Sequence, residues 1–209
     1  MPLVAYILVV AEPGHCLLHA HATEDELGEL RRKRIEKLPN KAPSSLGEPP
    51  EFKKYQRASD GPAFYFNRPP SAAGIIPVTL LHPIFGQFVD DCDTHMPKRE
   101  DNALVFALSK AMSEFYDDED SRASHFREIL AEHGIEMVAT RIEGTKYQTD
   151  GDMQTKRHRY LIAEVKGEIG SKGAEPLFQV GWYYQESTKK PAQDKGGSPL
   201  PCLLIYLFG

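Results

Sequence analysis

Thr149-Asp150-Gly151-Asp152 and, after a short gap, Tyr160-Leu161-Ile162-Ala163-Glu164-Val165-Lys166 decide how this chain is read. Period-2 alternation places Tyr160, Ile162, Glu164 and Lys166 on one face of a strand and Leu161, Ala163 and Val165 on the other. An acid and a lysine thus emerge side by side from an otherwise apolar strand. The turn-rich stretch upstream adds two more carboxylates, Asp150 and Asp152, also two residues apart.

Working outward, Ile135 to Ile142 predicts a strand, Gly144 to Met153 a turn and second strand, and Lys156-Arg157-His158-Arg159 a basic hairpin tip before Tyr160 to Lys166. Ahead of these, Leu104, Leu108, Ala111 and Phe115 recur at helical spacing, so a helix is expected from about Asn102 to Tyr116 with Asp101 as its cap. Ser121 is expected to cap a second helix ending at His133, with Gly134 in the position after it. Beyond the key strand, Pro176 suits the first position of a helix to about Glu186, and Leu200 to Phe208 reads as a final buried strand. The order is helix, three strands, helix, strand.

The N-terminal third reads differently. Leu3 to Val10 has the composition of a buried strand, Glu12-Pro13-Gly14 a turn, and His15 to His21 a returning strand. Thr23-Glu24-Asp25-Glu26 is a capping box for a helix lined by Leu27, Leu30, Ile35 and Leu38 and stopped by Pro39. Glu51 to Arg57 is expected to add a strand. A hairpin followed by a helix is how a ubiquitin-like β-grasp segment begins. The Pro-, Gly- and Ser-rich stretch from Ala42 to Pro77 reads mostly as surface linker. The expected division is a ubiquitin-like segment over 1–57, a linker over 58–76 and a main module over 77–209.

Bulk properties narrow the function. With 209 residues, 41% hydrophobic and 26% charged, the chain can bury a core of its own. A net charge of −5 means that any nucleic-acid contact has to come from a local basic patch such as Lys156, Arg157 and Arg159. Cys16, Cys92 and Cys202 lie far apart, which argues against a disulfide framework or a zinc knuckle. No apolar run reaches the ~20 residues that span a bilayer, so no membrane partner is expected. Leu3 to Ala11 lacks a basic leader and is followed by Glu12 and Pro13, which favours a strand over a signal peptide. A cytoplasmic or nuclear location is expected, with secretion as the alternative.

The element order together with Asp150…Glu164-x-Lys166 resembles the PD-(D/E)xK nuclease superfamily, over roughly residues 100 to 209. Thr149 stands where the family name has proline. Gln179 and Tyr183, four apart on the following helix, resemble the Gln-x-x-x-Tyr motif of RecB-like members. The resemblance implies an α/β fold with a restriction-endonuclease-like αβββαβ core, preceded here by the ubiquitin-like segment. It also implies a Mg²⁺ (or Mn²⁺) held by Asp150 and Glu164, with Asp152 and Glu114 as further candidates. Lys166 would act on the attacking water and Gln179 would lean over the site. The substrate class would be DNA or RNA. Hard carboxylate oxygens suit Mg²⁺, and negative charge developing on a phosphoryl group calls for a nearby cation and a lysine.

A ubiquitin-like segment ahead of a nuclease-like module also resembles crinkler-type effectors and related fungal, kinase-associated proteins, in the phrases Leu80-Leu81-His82-Pro83-Ile84-Phe85-Gly86-Gln87-Phe88 and Glu143-Gly144-Thr145-Lys146-Tyr147. That resemblance implies the alternative function: a catalytically inactive module that uses the fold for interaction or regulation, with a protein partner at its N-terminal segment.

Overall fold

The computed structural model describes residues 4–10, 35–57, 83–156, 158–167, 173–194 and 200–208, together with positions 29, 32, 33 and 79. Its centre is a four-stranded sheet in the order β1-β4-β3-β2, formed by β1 (Val4–Val10), β2 (Gly151–Thr155), β3 (His158–Lys166) and β4 (Cys202–Phe208). β2 and β3 form an antiparallel hairpin, β3 and β4 run parallel, and β1 runs antiparallel to β4. The helices are α1 (Pro43–Leu46), α2 (Pro49–Arg57), α3 (Pro83–Thr94), α4 (Arg99–Met112), α5 (Glu119–Glu132) and α6 (Pro176–Asp194).

Alternation along β3 sorts the core into two faces. Ala163 and Val165, with Leu207 of β4, pack under α4 and α5 against Met112, Phe126 and Leu130. Ile162 and Leu204 face the other way, against Val180, Tyr183 and Tyr184 of α6. The mixed α/β class holds, with helices on both faces of the sheet. Alternation fails at Tyr160. The register slips between Met153 and Gln154, which pair with Leu161 and Arg159 and leave Tyr160 as the extra residue. Such a bulge re-aims the side chain beside it, and Arg159 turns onto the Asp152 face.

Helix ends follow local chemistry. Asp118, three residues ahead of the expected Ser121, caps α5 by accepting from the Ser121 amide at 2.7 Å. Asp101 acts from inside α4: its carboxylate accepts from the Lys98 amide at 2.7 Å, so the helix begins before it. Gly134 sits at φ 79° just past α5, where a residue with a Cβ is strained.

Two expected strands are corrected. Ile135 to Ile142 is not a continuous strand. It touches its neighbour through isolated bridges, Val138 with Asp152 and Arg141 with Gln148, so the first strand of the expected αβββαβ order is reduced to those bridges. Backbone bonds run both ways between Val138 and Asp152, and side-chain bonds from Thr140 and Thr149 to Asp152 add to them. Glu51 to Arg57 is helical, within α2. Phe52 and Tyr55, three apart, share the helix face that meets α6: Phe52 stacks on Phe178 at 3.8 Å and Tyr55 meets Trp182 edge-on at 5.2 Å.

These contacts draw the expected N-terminal segment and linker towards the main module. β1 pairs along its whole length with β4, from Val4 opposite Phe208 to Val10 opposite Cys202. Leu46 and Phe52 form a third cluster with Trp182, whose indole donates to the Leu46 carbonyl at 3.0 Å. Glu29, Arg32, Lys33, Ile35 and Glu36 are helical, as expected ahead of Pro39. The His15–His21 return strand, the Thr23 cap and the 58–76 linker lie outside the described residues.

Gly47 marks the closest approach of this segment to α6. A Cβ there would stand 2.9 Å from the Ala174 Cβ and 3.1 Å from both the Cβ and backbone nitrogen of Gln179. Backbone cannot move aside as a flexible side chain does, so Gly47→Ala is expected to lose about 1–3 kcal/mol in urea unfolding. A melt unchanged from wild type would show that the seam is loose.

Candidate active site

Asp150, Glu164 and Lys166 converge at the end of the β2–β3 hairpin farthest from its tip. Asp150 lies one step before β2, just past the Gly151–Ala163 pair, and its Oδ2 accepts from the Val165 amide at 2.8 Å. That bond fixes the carboxylate against β3 beside Glu164. Arg127 of α5 donates to the Asp150 carbonyl and holds the backbone from the other side. Lys166 Nζ sits 3.2 Å from Glu164 Oε1 and 2.8 Å from Glu119 Oε2, bridging a strand carboxylate to one in the first turn of α5. Arg122, stacked over the Tyr116 ring, donates to the Lys166 and Gly167 carbonyls at 3.2 and 3.0 Å and pins the strand end.

Glu164 is the unusual member. It is 1% exposed, yet neither of its carboxylate oxygens accepts a hydrogen bond, and the Lys166 contact is an ion pair without hydrogen-bond geometry. Gln179 stands over the same side from α6, buried, with Oε1 also unpartnered and Nε2 3.5 Å from the Tyr183 hydroxyl. Buried polar atoms without partners are rare, and each costs about 1–3 kcal/mol. Three of them together form a cluster of oxygens shaped to receive something positive.

The electrostatics agree. Burial, then the neighbouring Asp150 charge, pushes the Glu164 pKa well above the ordinary glutamate range. Burial also raises Asp150, opposed by the Val165 amide and Lys166. Burial works against the charge on Lys166, but Glu164 and Glu119 outweigh it and hold its pKa above the usual lysine value. Tyr183 is pushed up by burial and then by the Glu164 charge.

An acid with a raised folded pKa is protonated in the fold at pH values where the unfolded chain has already ionised. The wild-type fold therefore loses stability as pH rises from the unfolded carboxylate range through the folded pKa. Glu164→Gln removes that penalty. The variant is expected to match wild type near pH 4 and to exceed it by about 1–3 kcal/mol at pH 8 without metal. Denaturant titrations at both pH values would read this, and a gain independent of pH would refute it.

The other sequence candidates fall elsewhere. Asp152 is fully buried, accepts from the Thr140 and Thr149 hydroxyls at 2.5 Å each, and pairs with Arg159 Nε at 3.2 Å. Its Oδ2 is committed to that cage, so its geometry is that of a structural ion pair. Glu114 is exposed just past the end of α4, where its backbone carbonyl accepts from Arg122 at 3.3 Å. The acid that reaches Lys166 is Glu119, which residue order alone did not single out. Its position in the first turn of a helix, beside an Asp118 cap, was the available signal.

Among the described residues, no three His, Cys, Asp or Glu side chains gather into a metal cage. The oxygens that fit a divalent ion are those of Asp150, Glu164 and Gln179, which reach the same side of the sheet as a mixed carboxylate and amide set. Comparison with known protein families, curated proteins and solved structures finds no match for this chain. No helix among the described residues is long and apolar enough to cross a membrane.

Proposed function

We propose that the protein is a Mg²⁺- or Mn²⁺-dependent phosphodiesterase acting on DNA or RNA, built on a restriction-endonuclease-like core. The observation that carries this reading is the buried Glu164 carboxylate, set beside Asp150 with the Lys166 ion pair as its one charge partner among the described residues and neither oxygen hydrogen-bonded. A structural glutamate buried this deeply would be hydrogen-bonded. A divalent ion bound there supplies positive charge against a phosphoryl group.

The chain's own residues divide the remaining work. Asp150, fixed through the Val165 amide, and Glu164 present oxygens to the ion site. Lys166, with its pKa raised, stays an ammonium at neutral pH; its role is to orient the attacking water and to stabilise charge growing on the phosphate, rather than to take a proton. Gln179 lends its free amide oxygen, and Tyr183 stays protonated as a donor. Water forms the new P–O bond, the ester P–O bond breaks, and the leaving oxygen takes a proton.

The test is incubation of purified protein with end-labelled single- and double-stranded DNA and RNA, with Mg²⁺, with Mn²⁺ and with EDTA. Cleavage with metal, lost in Asp150→Asn and Glu164→Gln, is expected. Cleavage that survives both substitutions would overturn the site.

A second reading has its own support. Glu119 neutralises Lys166 directly, and the chain as a whole carries −5. Both suit a crinkler-like, kinase-associated interaction module that kept the fold without the activity, engaging a protein partner through a ubiquitin-like N-terminal segment in the cytoplasm, in the nucleus or after secretion. Absence of Mn²⁺ binding by calorimetry would favour it.

A further inference from the structure

A second polar concavity of 530 Å³ lies on the α6 side of the sheet, away from the carboxylates. Its walls are the 141–147 turn, the tip end of the β2–β3 hairpin and the last part of α6. Six arginines and lysines line it against two glutamates, in a chain whose overall charge is −5. Three of these cations are already spoken for: Arg159 by Asp152, Lys189 by Glu186 and Lys190 by Glu143. Arg141, Lys146 and Lys156 have no ion-pair partner among the described residues. Tyr147 adds an aromatic ring to the lining.

The backbone is built around this concavity. Lys156, at the hairpin tip, is the one described non-glycine residue with positive φ, at 56°. Holding a lysine in that left-handed region costs about 1 kcal/mol relative to asparagine or glycine. Gly144 takes φ 79° in the facing turn, where a Cβ would stand 3.5 Å from the Lys190 side chain. The Tyr160 bulge turns Arg159 to this side, where its guanidinium donates to the Thr140 hydroxyl at 2.9 Å and the Arg141 carbonyl at 3.0 Å. That bond positions Arg141 at the rim.

We infer that this concavity is a binding site for a phosphate-bearing ligand of nucleotide size, held by Arg141, Lys146 and Lys156 with Tyr147 beside them. Unpaired cations around an aromatic ring match the two chemical parts of a nucleotide, a charged phosphate and a flat base. Lys190 lies seven residues beyond Tyr183, about 10 Å along α6 at 1.5 Å per residue. The ligand can be a free nucleotide or part of a nucleic-acid strand. The strand source rests on the phosphodiesterase reading; the chemistry of the concavity does not.

Binding is measured with the full chain carrying Glu164→Gln, in EDTA, so that neither cleavage nor a bound metal contributes. The probes are fluorescein-labelled hexathymidylate, by anisotropy, and adenosine monophosphate, by calorimetry. Lys146→Gln with Lys156→Asn removes two of the free cations, and asparagine suits the left-handed backbone at 156, so the fold is kept. Lys110→Gln on α4, behind the sheet, makes a single matched charge change. The double variant is expected to weaken binding at least tenfold and to reduce the salt slope for the strand by about 1.4, with Lys110→Gln unchanged. Binding of hexathymidylate alone identifies a strand; binding of both probes identifies a free nucleotide as sufficient. The inference is overturned if neither probe binds, if the double variant binds like its parent, or if Lys110→Gln weakens binding as much per charge. Loss of cleavage in the wild-type background with this binding intact would refute the phosphodiesterase and leave the site standing.

Discussion

Lys166→Ala should reduce phosphodiester cleavage by about 10²–10³-fold while leaving metal binding in place. Lysine at this position is the sole cation within ion-pair distance of Glu164 among the described residues, and it is held there by Glu119 from the opposite side. Removing a preorganised positive group aimed at developing charge costs about 3–4 kcal/mol of transition-state stabilisation, which is a loss in kcat. The fold should tolerate the change. Lys166 is partly exposed at a strand end, and its backbone carbonyl still receives Arg122. Single-turnover cleavage at saturating Mg²⁺ would measure the effect, with Mn²⁺ calorimetry alongside. A variant that cuts at the wild-type rate would remove Lys166 from the chemistry. Lys166→Arg should rescue little, because a planar fork does not replace a compact ammonium between two carboxylates.

The second large effect is on the fold. Asp152→Ala is expected to cost about 3–5 kcal/mol, enough to unfold much of a marginal domain. Asp152 is fully buried and Arg159, its partner, is 7% exposed, so the substitution strands a guanidinium in the interior. It also strips the Thr140 and Thr149 hydroxyls of their common acceptor, and with them the link that ties the 135–142 segment to the hairpin. Asp150→Ala, two residues earlier, should do the reverse. It removes a half-buried carboxylate whose pKa is already raised, so the fold should hold while cleavage fails. Urea unfolding and cleavage assays on the two variants would separate the roles. Equal destabilisation by both would mean that Asp150 is structural as well.

This pair shows how far residue order alone could be read. Two acids in Asp150-Gly151-Asp152 look interchangeable on paper, and alternation even puts them on one face. What divides them is the identity of neighbours distant in sequence: Thr140 and Arg159 for one, Val165 and Lys166 for the other. The long periodic elements were legible because burial enforces their pattern, as in α5, β3, α6 and β4, whereas the stripe expected through Phe115 stops where α4 ends at Met112 and Phe115 stands exposed beyond it. The 135–142 segment was misread because its composition is strand-like while its backbone pairing stops at isolated bridges. Glu51 to Arg57 was misread because aromatic residues suit both strands and helices, and only the Phe178 and Trp182 surface chooses between them. Glu119 was missed because its place in the first turn of a capped helix marks a helix start and says nothing of a lysine 47 residues later.

The pairing of β1 with β4 has a consequence for how the molecule comes together. β4 lies in the interior of the sheet between β1 and β3, and Val4 meets Phe208 only once about 200 intervening residues exist. Closing a loop of that length is entropically slow, and pairings so distant in sequence form late. Until then β4 has one side unclaimed, an open row of amides and carbonyls that can recruit any passing strand. During synthesis the hairpin and its helices can assemble while the first strand waits, and that interval is when the chain is most exposed to mispairing with another copy of itself.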